Sequence, residues 1–452
     1  MSIAPDGGAQ LSPAAHPPTI SDTRRIRPVV AASTVGTIIE WYDFFIYGTA
    51  AALVFGPLFF PGASPVAGTL AALSAYAVGF VFRPLGGVVF GHFGDRLGRK
   101  TILITTLIIM GLSTTLIGLL PTYNQIGFAA PALLVTMRIL QGFGAGAEFA
   151  GAAIMAVEYS PPGRRGFFGS WPQVGVAIGL AGASGAFLLV RMLPKDQFMS
   201  WGWRFPFLAS ILVLGVGTWI RLRISETPVF KEIQKENKVS RAPLAEVFKT
   251  QLKSFFLVLG MRFADNAVLY IPVVFTLSYL KLHKDLDTNV GLIGVFLAAA
   301  VQVVAIPLFG ALSDRLGRRL VYGGGAAAAA ALMVPYFLLL DTGNAALIWL
   351  AIVLLGGVAY SAMAGCQPAF FTELFDPRVR YTGVASAREL GSVVGGLTPL
   401  AAVALLAAYS TGLAVAALVI AMCAVTVAAV VWAPETRGRL FDVEAAVEQS
   451  TK

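Results

Sequence analysis

The chain shows neither the strict apolar–polar alternation of a half-buried strand nor the one-faced stripe of a surface helix. Long apolar runs recur from end to end, broken by short polar segments. Runs beyond about 18 apolar residues are long enough to cross a bilayer as helices. Strands of a membrane barrel would alternate over about 10 residues. The pattern predicts twelve spanning helices, at about 29–55, 66–91, 101–121, 128–157, 168–192, 203–222, 254–281, 288–311, 320–341, 345–374, 382–409 and 411–433. The expected fold class is all-α and integral to the membrane. The N-terminal stretch is rich in Pro, Ala, Gly and Ser and has no apolar core, so residues 1–28 read as a disordered tail without a cleavable signal.

The chain is also written twice. GHFGDRLGRK (91–100) follows the second span and GALSDRLGRR (310–319) follows the eighth. EYSPPGRRG closes the fourth span and ELFDPRVR the tenth. Both pairs are separated by about 215–219 residues, which marks an internal duplication. The expected domains are six-helix halves at 29–222 and 254–433, a charged connector at 223–253 and a short tail at 434–452. Two parallel six-helix repeats point to a transporter whose site lies between the halves, near the membrane midplane.

Composition agrees. Hydrophobic residues make up 57% and charged residues 13%, about half the charge a soluble domain carries. With the N-terminus placed inside, 24 of the 33 Lys and Arg fall on the cytoplasmic side and only Arg191, Lys195, Lys281 and Lys284 in outer loops. This asymmetry orients the chain with both termini cytoplasmic. It accounts for the net charge of +9 without nucleic-acid binding. Cys366 and Cys423 lie in apolar spans and imply neither a disulfide nor a metal site. No phosphate-binding loop, nucleophile–base constellation or metal-ligand spacing is present, so no ATP-driven pump, enzyme, cofactor or metal is expected.

The repeated loop G-x-x-x-D-R-x-G-R-K/R, together with RILQGFGAGAEFAG (138–151), resembles the signatures of the major facilitator superfamily. EWYDFFIYG, RPLGGVVFGHFGDRLGRK, WGWRFPFLAS and ELFDPRVRYTG resemble its metabolite:proton symporter branch, and PETRG (434–438) resembles a sugar-porter tail. The resemblance covers about 29–440. It implies a proton-coupled importer of a small organic acid (shikimate-like, dicarboxylate or aromatic), working as a monomer in a bacterial inner membrane. The SARELG stretch of the eleventh span departs from the branch pattern and adds Arg388 and Glu389 as intramembrane charges.

Charges inside the spans are the candidate chemistry, because a carboxylate at mid-bilayer costs about 2.5–3.5 kcal/mol even on a lenient scale. Glu40 and Asp43 are three residues apart and share a helix face, which Tyr47 extends; Trp41, Phe44, Phe45 and Gly48 are expected on the packed side. Glu40, Asp43, Asp265 and Glu389 are the candidate proton carriers. Arg138, Arg262, Arg388, Tyr42, Tyr47 and Gln173 are the candidate substrate contacts. The resemblance puts Arg138 close to the proton and substrate path and makes the first and seventh helices line the cavity. Two pairings of Arg262 stay open: Asp43 across the halves, or Asp265 on its own helix. Arg83 is expected to snorkel to the interface in a structural role, with an anion contact as the alternative, and Arg204 to anchor the outer edge. Neighbours on a helix point about 100° apart, so Arg388 and Glu389 are not expected to neutralise each other simply. Glu148, about 15 Å along the helix from Arg138, is expected as a helix-packing residue. Gly142, Gly144, Gly146 and Gly151 are expected to serve close helix packing.

Asp95, Arg96, Arg99, Glu158, Arg165, Asp314, Arg315, Glu373 and Arg380 sit at the cytoplasmic rim and are expected to gate. Glu158 is expected to pair with Arg164 or Arg165, and Glu373 with Arg378 or Arg380. Three other readings are a carrier of zwitterionic osmolytes such as proline or betaine, a drug exporter, and a transporter-like receptor without flux. The family-specific stretches argue against export, and the tail is too short for the coiled coil that osmolyte carriers of this branch bear.

Overall fold

The structure is a computed structural model and describes residues 23–97, 99–146, 149–158, 160–161, 163–223, 243–376 and 379–439; side chains at 23–29, 32, 91–103, 149, 220–223 and 243 are outside that description. Among the described residues there are twelve long helical segments and no strand. This is what lipid demands, since an apolar run must satisfy its own backbone groups. The helices of the first six spans are α1 (Thr23–Ala50, continued through Ala51–Phe55 and Gly56–Phe59), α2 (Pro65–Leu97), α3 (Arg99–Leu119), α4 (Ala129–Ala145 and Phe149–Glu158), α5 (Arg165–Gly169 and Trp171–Val190) and α6 (Phe205–Arg223). Those of the last six are α7 (Leu252–Tyr270, Ile271–Phe275 and Thr276–Leu282), α8 (Thr288–Leu316), α9 (Arg318–Asp341), α10 (Ala345–Ile352, Val353–Ala359 and Tyr360–Glu373), α11 (Arg380–Tyr409) and α12 (Gly412–Trp432). Ten of these spans are long and apolar enough to cross a membrane; the described apolar stretch of α3, Ile104–Leu119, is shorter.

A helix lies at each expected span. The boundaries differ where hydropathy reports the bilayer and not the helix end. α1 begins at Thr23, inside the expected tail, and α2 and α8 run on to Leu97 and Leu316. Within the expected connector, Pro243–Thr250 is helical. Residues 1–22 and 224–242 lie outside the described residues, as does Glu148.

The packing repeats the duplication. α1 packs on α5 and α7 on α11, while most of the contact between the two sets of six runs through α2–α11 and α8–α5. Exchanging each helix for the one six places along maps one of these two interfaces onto the other. Glycine sets the closest approaches. A Cβ at Gly142 on α4 would stand 1.9 Å from the Gly79 carbonyl oxygen of α2, and one at Gly146 2.0 Å from that of Arg83. On the matching pair, a Cβ at Gly365 of α10 would stand 2.3 Å from the Ile306 carbonyl of α8. Gly144 is also tight, against Thr106, whereas Gly151 meets only an ordinary contact with Tyr381. A π-helical turn interrupts α1 at Ala51–Phe55 and α7 at Ile271–Phe275, again about 220 residues apart.

Bonds tie the halves at both ends of the bundle. At the signature-loop end, Asp314 of α8 accepts the backbone N–H of Gly166 and Phe167 at 2.8 and 2.9 Å, at the start of α5. Glu158 of α4 pairs with Arg380 of α11 at 2.8 Å. At the opposite end Arg191 bonds Asp287 and Asn289 at 3.0 and 2.7 Å. There Lys281 of α7 donates to the Leu53 carbonyl at 2.9 Å, in the π turn of α1.

Candidate substrate and proton site

Glu40 is fully buried on α1, and its partner is Arg83 of α2 at 2.7 Å. The same guanidinium donates through Nε to Glu389 of α11 at 2.9 Å. Glu389 in turn pairs with Arg388 at 2.5 Å. The result is a chain of four charges, Glu40–Arg83–Glu389–Arg388, that joins helices of both sequence repeats. Each member is no more than 4% exposed. Two sequence expectations are corrected here. Arg83 does not snorkel; with no exposure and two carboxylates in reach, it is the centre of the cluster. Arg388 and Glu389 do neutralise each other, because a long guanidinium side chain spans the angular offset that separates neighbours on a helix.

The aromatic side of α1 holds this arrangement. The Arg83 guanidinium lies 4.6 Å from the Phe44 ring centroid and 5.7 Å from those of Trp41 and Phe80. Arg138 of α4 covers Phe44, Tyr47 and Tyr76 at 4.4, 4.5 and 4.7 Å. Stacked guanidinium–ring contacts of this kind are worth about 2 kcal/mol when desolvated. Tyr47 therefore belongs to the Arg138 platform, and its hydroxyl has no hydrogen-bond partner among the described residues.

Asp43 faces elsewhere. Its carboxylate accepts from Ser210 at 2.7 Å and Thr114 at 3.0 Å. Gln141 joins it to Arg138: the Arg138 guanidinium donates to Gln141 Oε1, and Gln141 Nε2 donates to Thr114 Oγ1 at 2.8 Å. Asp43 and Arg138 thus communicate through one amide and one hydroxyl. The pair Asp43–Arg262 is absent. Arg262 bonds Asp265 on its own helix, then Asn266 at 2.8 Å and Ser392 at 3.4 Å. Of the two pairings left open, the local one holds, because three residues of helix bring the groups together without any tertiary closure.

Arg262 also lies within electrostatic reach of Arg388. The α1–α2–α7–α11 cluster therefore balances Arg83, Arg262 and Arg388 against Glu40, Asp265 and Glu389. Balance is what makes the burial tolerable, since an unpaired charge in this setting costs about 3–5 kcal/mol.

Gln173 of α5 donates to Gln367 of α10 at 2.7 Å, a further polar bridge across the halves. Tyr42 spends its hydroxyl on the Pro206 carbonyl at 2.9 Å and ties α1 to α6, which takes it away from ligand bonding. Arg204 caps the end of α3 through the Gly118 and Leu120 carbonyls at 3.0 and 2.7 Å. Gln141, Thr114, Ser210 and Gln367 escaped the sequence reading because isolated neutral polar residues in an apolar run carry no periodic signal.

At the signature-loop end the partners differ from those expected. Glu158 meets Arg380, and Glu373 meets Arg318 at 3.1 Å and Thr436 at 2.6 Å. Arg318 also bonds Asp314 at 2.9 Å. Sequence proximity favoured pairing along the chain, whereas the bundle brings Glu158 to the other half's Arg380, and Glu373 to Arg318 on the neighbouring helix α9. The C-terminal segment joins in. Arg165 donates to the Arg439 carbonyl at 2.6 Å, and Arg437 donates to that of Arg315. Glu435 receives the backbone N–H of Arg318 and Arg319 at the start of α9. Burial pushes the Glu435 carboxyl up, but the N–H groups of Arg318, Arg437, Arg319 and Thr436 outweigh it and hold it below the usual range. The side chains of Asp95, Arg96 and Arg99, and Arg378 as a whole, lie outside the described residues.

Comparison with known proteins accords with this architecture. Residues 33–396 match the Major Facilitator Superfamily. The shikimate transporter of Escherichia coli (strain K12) is 39% identical over 394 residues, 85% of this chain and 89% of that one. The glycine betaine/proline/ectoine/pipecolic acid transporter OusA of Dickeya dadantii (strain 3937) is 36% identical over 394 residues, 85% of this chain and 78% of that one. Among solved structures, the xylose transporter XylE from E. coli, in a partially occluded inward-open conformation, superposes with a TM-score of 0.69 at 18% identity, covering 92% of this chain and all of that one. The chain belongs to the Major Facilitator Superfamily and is a multi-pass membrane transporter, not an enzyme.

Proposed function

We propose that this protein is a proton-coupled symporter that imports a small organic acid by alternating access. It works as a monomer in a bacterial inner membrane with both termini cytoplasmic. The observation that carries this reading is the buried chain Glu40–Arg83–Glu389–Arg388, because it offers guanidinium forks suited to a carboxylate beside acids that can hold a proton. The relative named as a shikimate transporter supports an organic acid. In this reading the halves at 29–222 and 254–433 rock about the cluster, and the ties at the two ends open in turn. Glu40, Asp43, Asp265 and Glu389 remain the candidate proton carriers.

The second reading, a zwitterion carrier, has the relative named for glycine betaine and proline behind it. It needs open aromatic faces for a quaternary ammonium. Phe44, Tyr47 and Tyr76 are already covered by Arg138, and Trp41 and Phe80 by Arg83, which favours the acid. Uptake of labelled shikimate, benzoate and succinate into proteoliposomes tests both. An imposed alkaline interior should drive accumulation of at least one acid, and a protonophore should abolish it. Accumulation that follows a sodium gradient and ignores the protonophore overturns the proton coupling. Uptake of glycine betaine but none of the acids overturns the substrate class, and binding without uptake favours a receptor.

A further inference from the structure

Glu389 occupies an unusual place in the cluster. Its two oxygens face two guanidinium groups, Arg83 at 2.9 Å and its neighbour Arg388 at 2.5 Å. This is the position a ligand carboxylate would take between two arginines. Yet the cluster is not saturated: Nη1 of Arg83 and Oε2 of Glu40 are buried and have no hydrogen-bond partner among the described residues. A spare donor on a fully buried guanidinium is costly unless something fills it during the working cycle.

Resting on the organic-acid reading, we propose that Arg83 and Arg388 form the carboxylate-binding site, that Glu389 is its internal stand-in, and that the carboxylate it gives up on substrate binding takes the coupling proton.

The charge count requires this order. Glu389 meets Arg83 of α2 and Arg388 of its own helix, with Glu40 of α1 on the other side of Arg83. Arg262 and Tyr270 of α7 lie within electrostatic reach of Arg388, with Asp265 on Arg262, and Arg138 of α4 lies within reach of Arg83 and is joined to Asp43 through Gln141 and Thr114. With all carboxylates ionised, Arg83, Arg138, Arg262 and Arg388 are balanced by Glu40, Asp43, Asp265 and Glu389. A monoanion entering from outside would bring the buried cluster to a net −1. Displacing Glu389 and protonating it, carboxylate plus proton giving the carboxylic acid, restores neutrality with no other group changing state. The proton comes from the compartment that supplied the substrate. Release reverses both steps: Glu389 loses its proton and returns to the arginines as the anion leaves. A zwitterion carries its own cation and needs no such proton. The placement also uses both halves, since Arg83 is on α2 and Glu389 on α11, so exchange of the bridging carboxylate loosens a contact between them.

The test measures binding of shikimate and benzoate to the purified full-length protein by calorimetry, across pH and in buffers of different ionisation enthalpy. The wild type should take up about one proton per acid bound, so that affinity weakens tenfold per pH unit on the alkaline side. E389Q should bind the acids without proton uptake and with a flat pH profile. Because a lone neutralisation leaves excess positive charge, R388Q/E389Q restores the balance of the empty cluster but offers an entering anion neither the second guanidinium nor a displaceable carboxyl, so it should bind the acids far more weakly. Acid binding in E389Q with the wild-type proton uptake, or in the double variant with the wild-type affinity, overturns the exchange while leaving the organic-acid reading in place. Binding of glycine betaine to the exclusion of both acids overturns both.

Discussion

Arg83 and Glu389 lie 2.9 Å apart, although one is on the second membrane helix and the other on the eleventh. The contact sits on one of the two helix pairs that make most of the contact between the halves, α2–α11. It ties the two halves together, and in the exchange proposed above it is the contact that a substrate carboxylate would disturb.

Neutralising Arg83 should be the most damaging single change in the cluster. R83Q strands Glu40 and leaves Glu389 to Arg388 alone in a fully buried site, at a cost of about 3–5 kcal/mol. Thermal unfolding in detergent should show a clear drop in midpoint. R83K should recover little of it, because an ammonium cannot present the planar fork that serves two carboxylates. A midpoint for R83Q equal to the wild type would mean that the cluster adds nothing to stability.

Asp43 should couple to Arg138 and not to Arg262. A double-mutant cycle on stability with D43N and R138Q should give an interaction energy above about 0.5 kcal/mol, transmitted by Gln141 and Thr114. The same cycle with R262Q should be additive. The reverse result would restore the pair that the fold does not show.

The rim contacts should control rate and not affinity. D314N removes a charge from the N-terminus of α5 and weakens its bonds to Gly166 and Phe167. Counterflow exchange should slow severalfold while equilibrium binding of the same acid in detergent stays within about twofold. A parallel loss of binding would place Asp314 in the site. Reversing the pair as E158R/R380E should recover exchange that either single reversal impairs.

Glu435 gives a pH signature outside the membrane. Its carboxyl is held below the usual range, so the stability it contributes is complete above the unfolded glutamate value and is lost as pH falls through the lowered folded value. The gap in thermal midpoint between wild type and E435Q should be full at neutral pH and should close on acidification. A gap that widens as pH falls would mean that the backbone N–H groups of α9 do not hold the ionised form.

The sequence by itself determined the class of structure. The apolar runs force helices because lipid offers no partner for a free backbone group. The two offset motif pairs reveal the duplication, and the cost of a charge in hydrocarbon singles out Glu40, Asp43, Arg138, Arg262, Arg388 and Glu389 without any coordinates. It also fixed which helix carries each charge. It could not decide who meets whom. Arg83 looked peripheral because distance along one helix was the available measure, whereas its surroundings are set by α1 and α11, more than forty and three hundred residues away in the chain. Gln141 and Thr114 had no signal at all, since a neutral polar residue in an apolar run matters only when the fold sets it between two charges. The π turns of α1 and α7 have a proline in or just beyond them, Pro272 and Pro57, but a proline in an apolar run marks a break in the helix without saying what form it takes. Pairing in this protein is decided by helix–helix registration, which depends on glycine contacts such as Gly142 on Gly79 and on all twelve helices closing together.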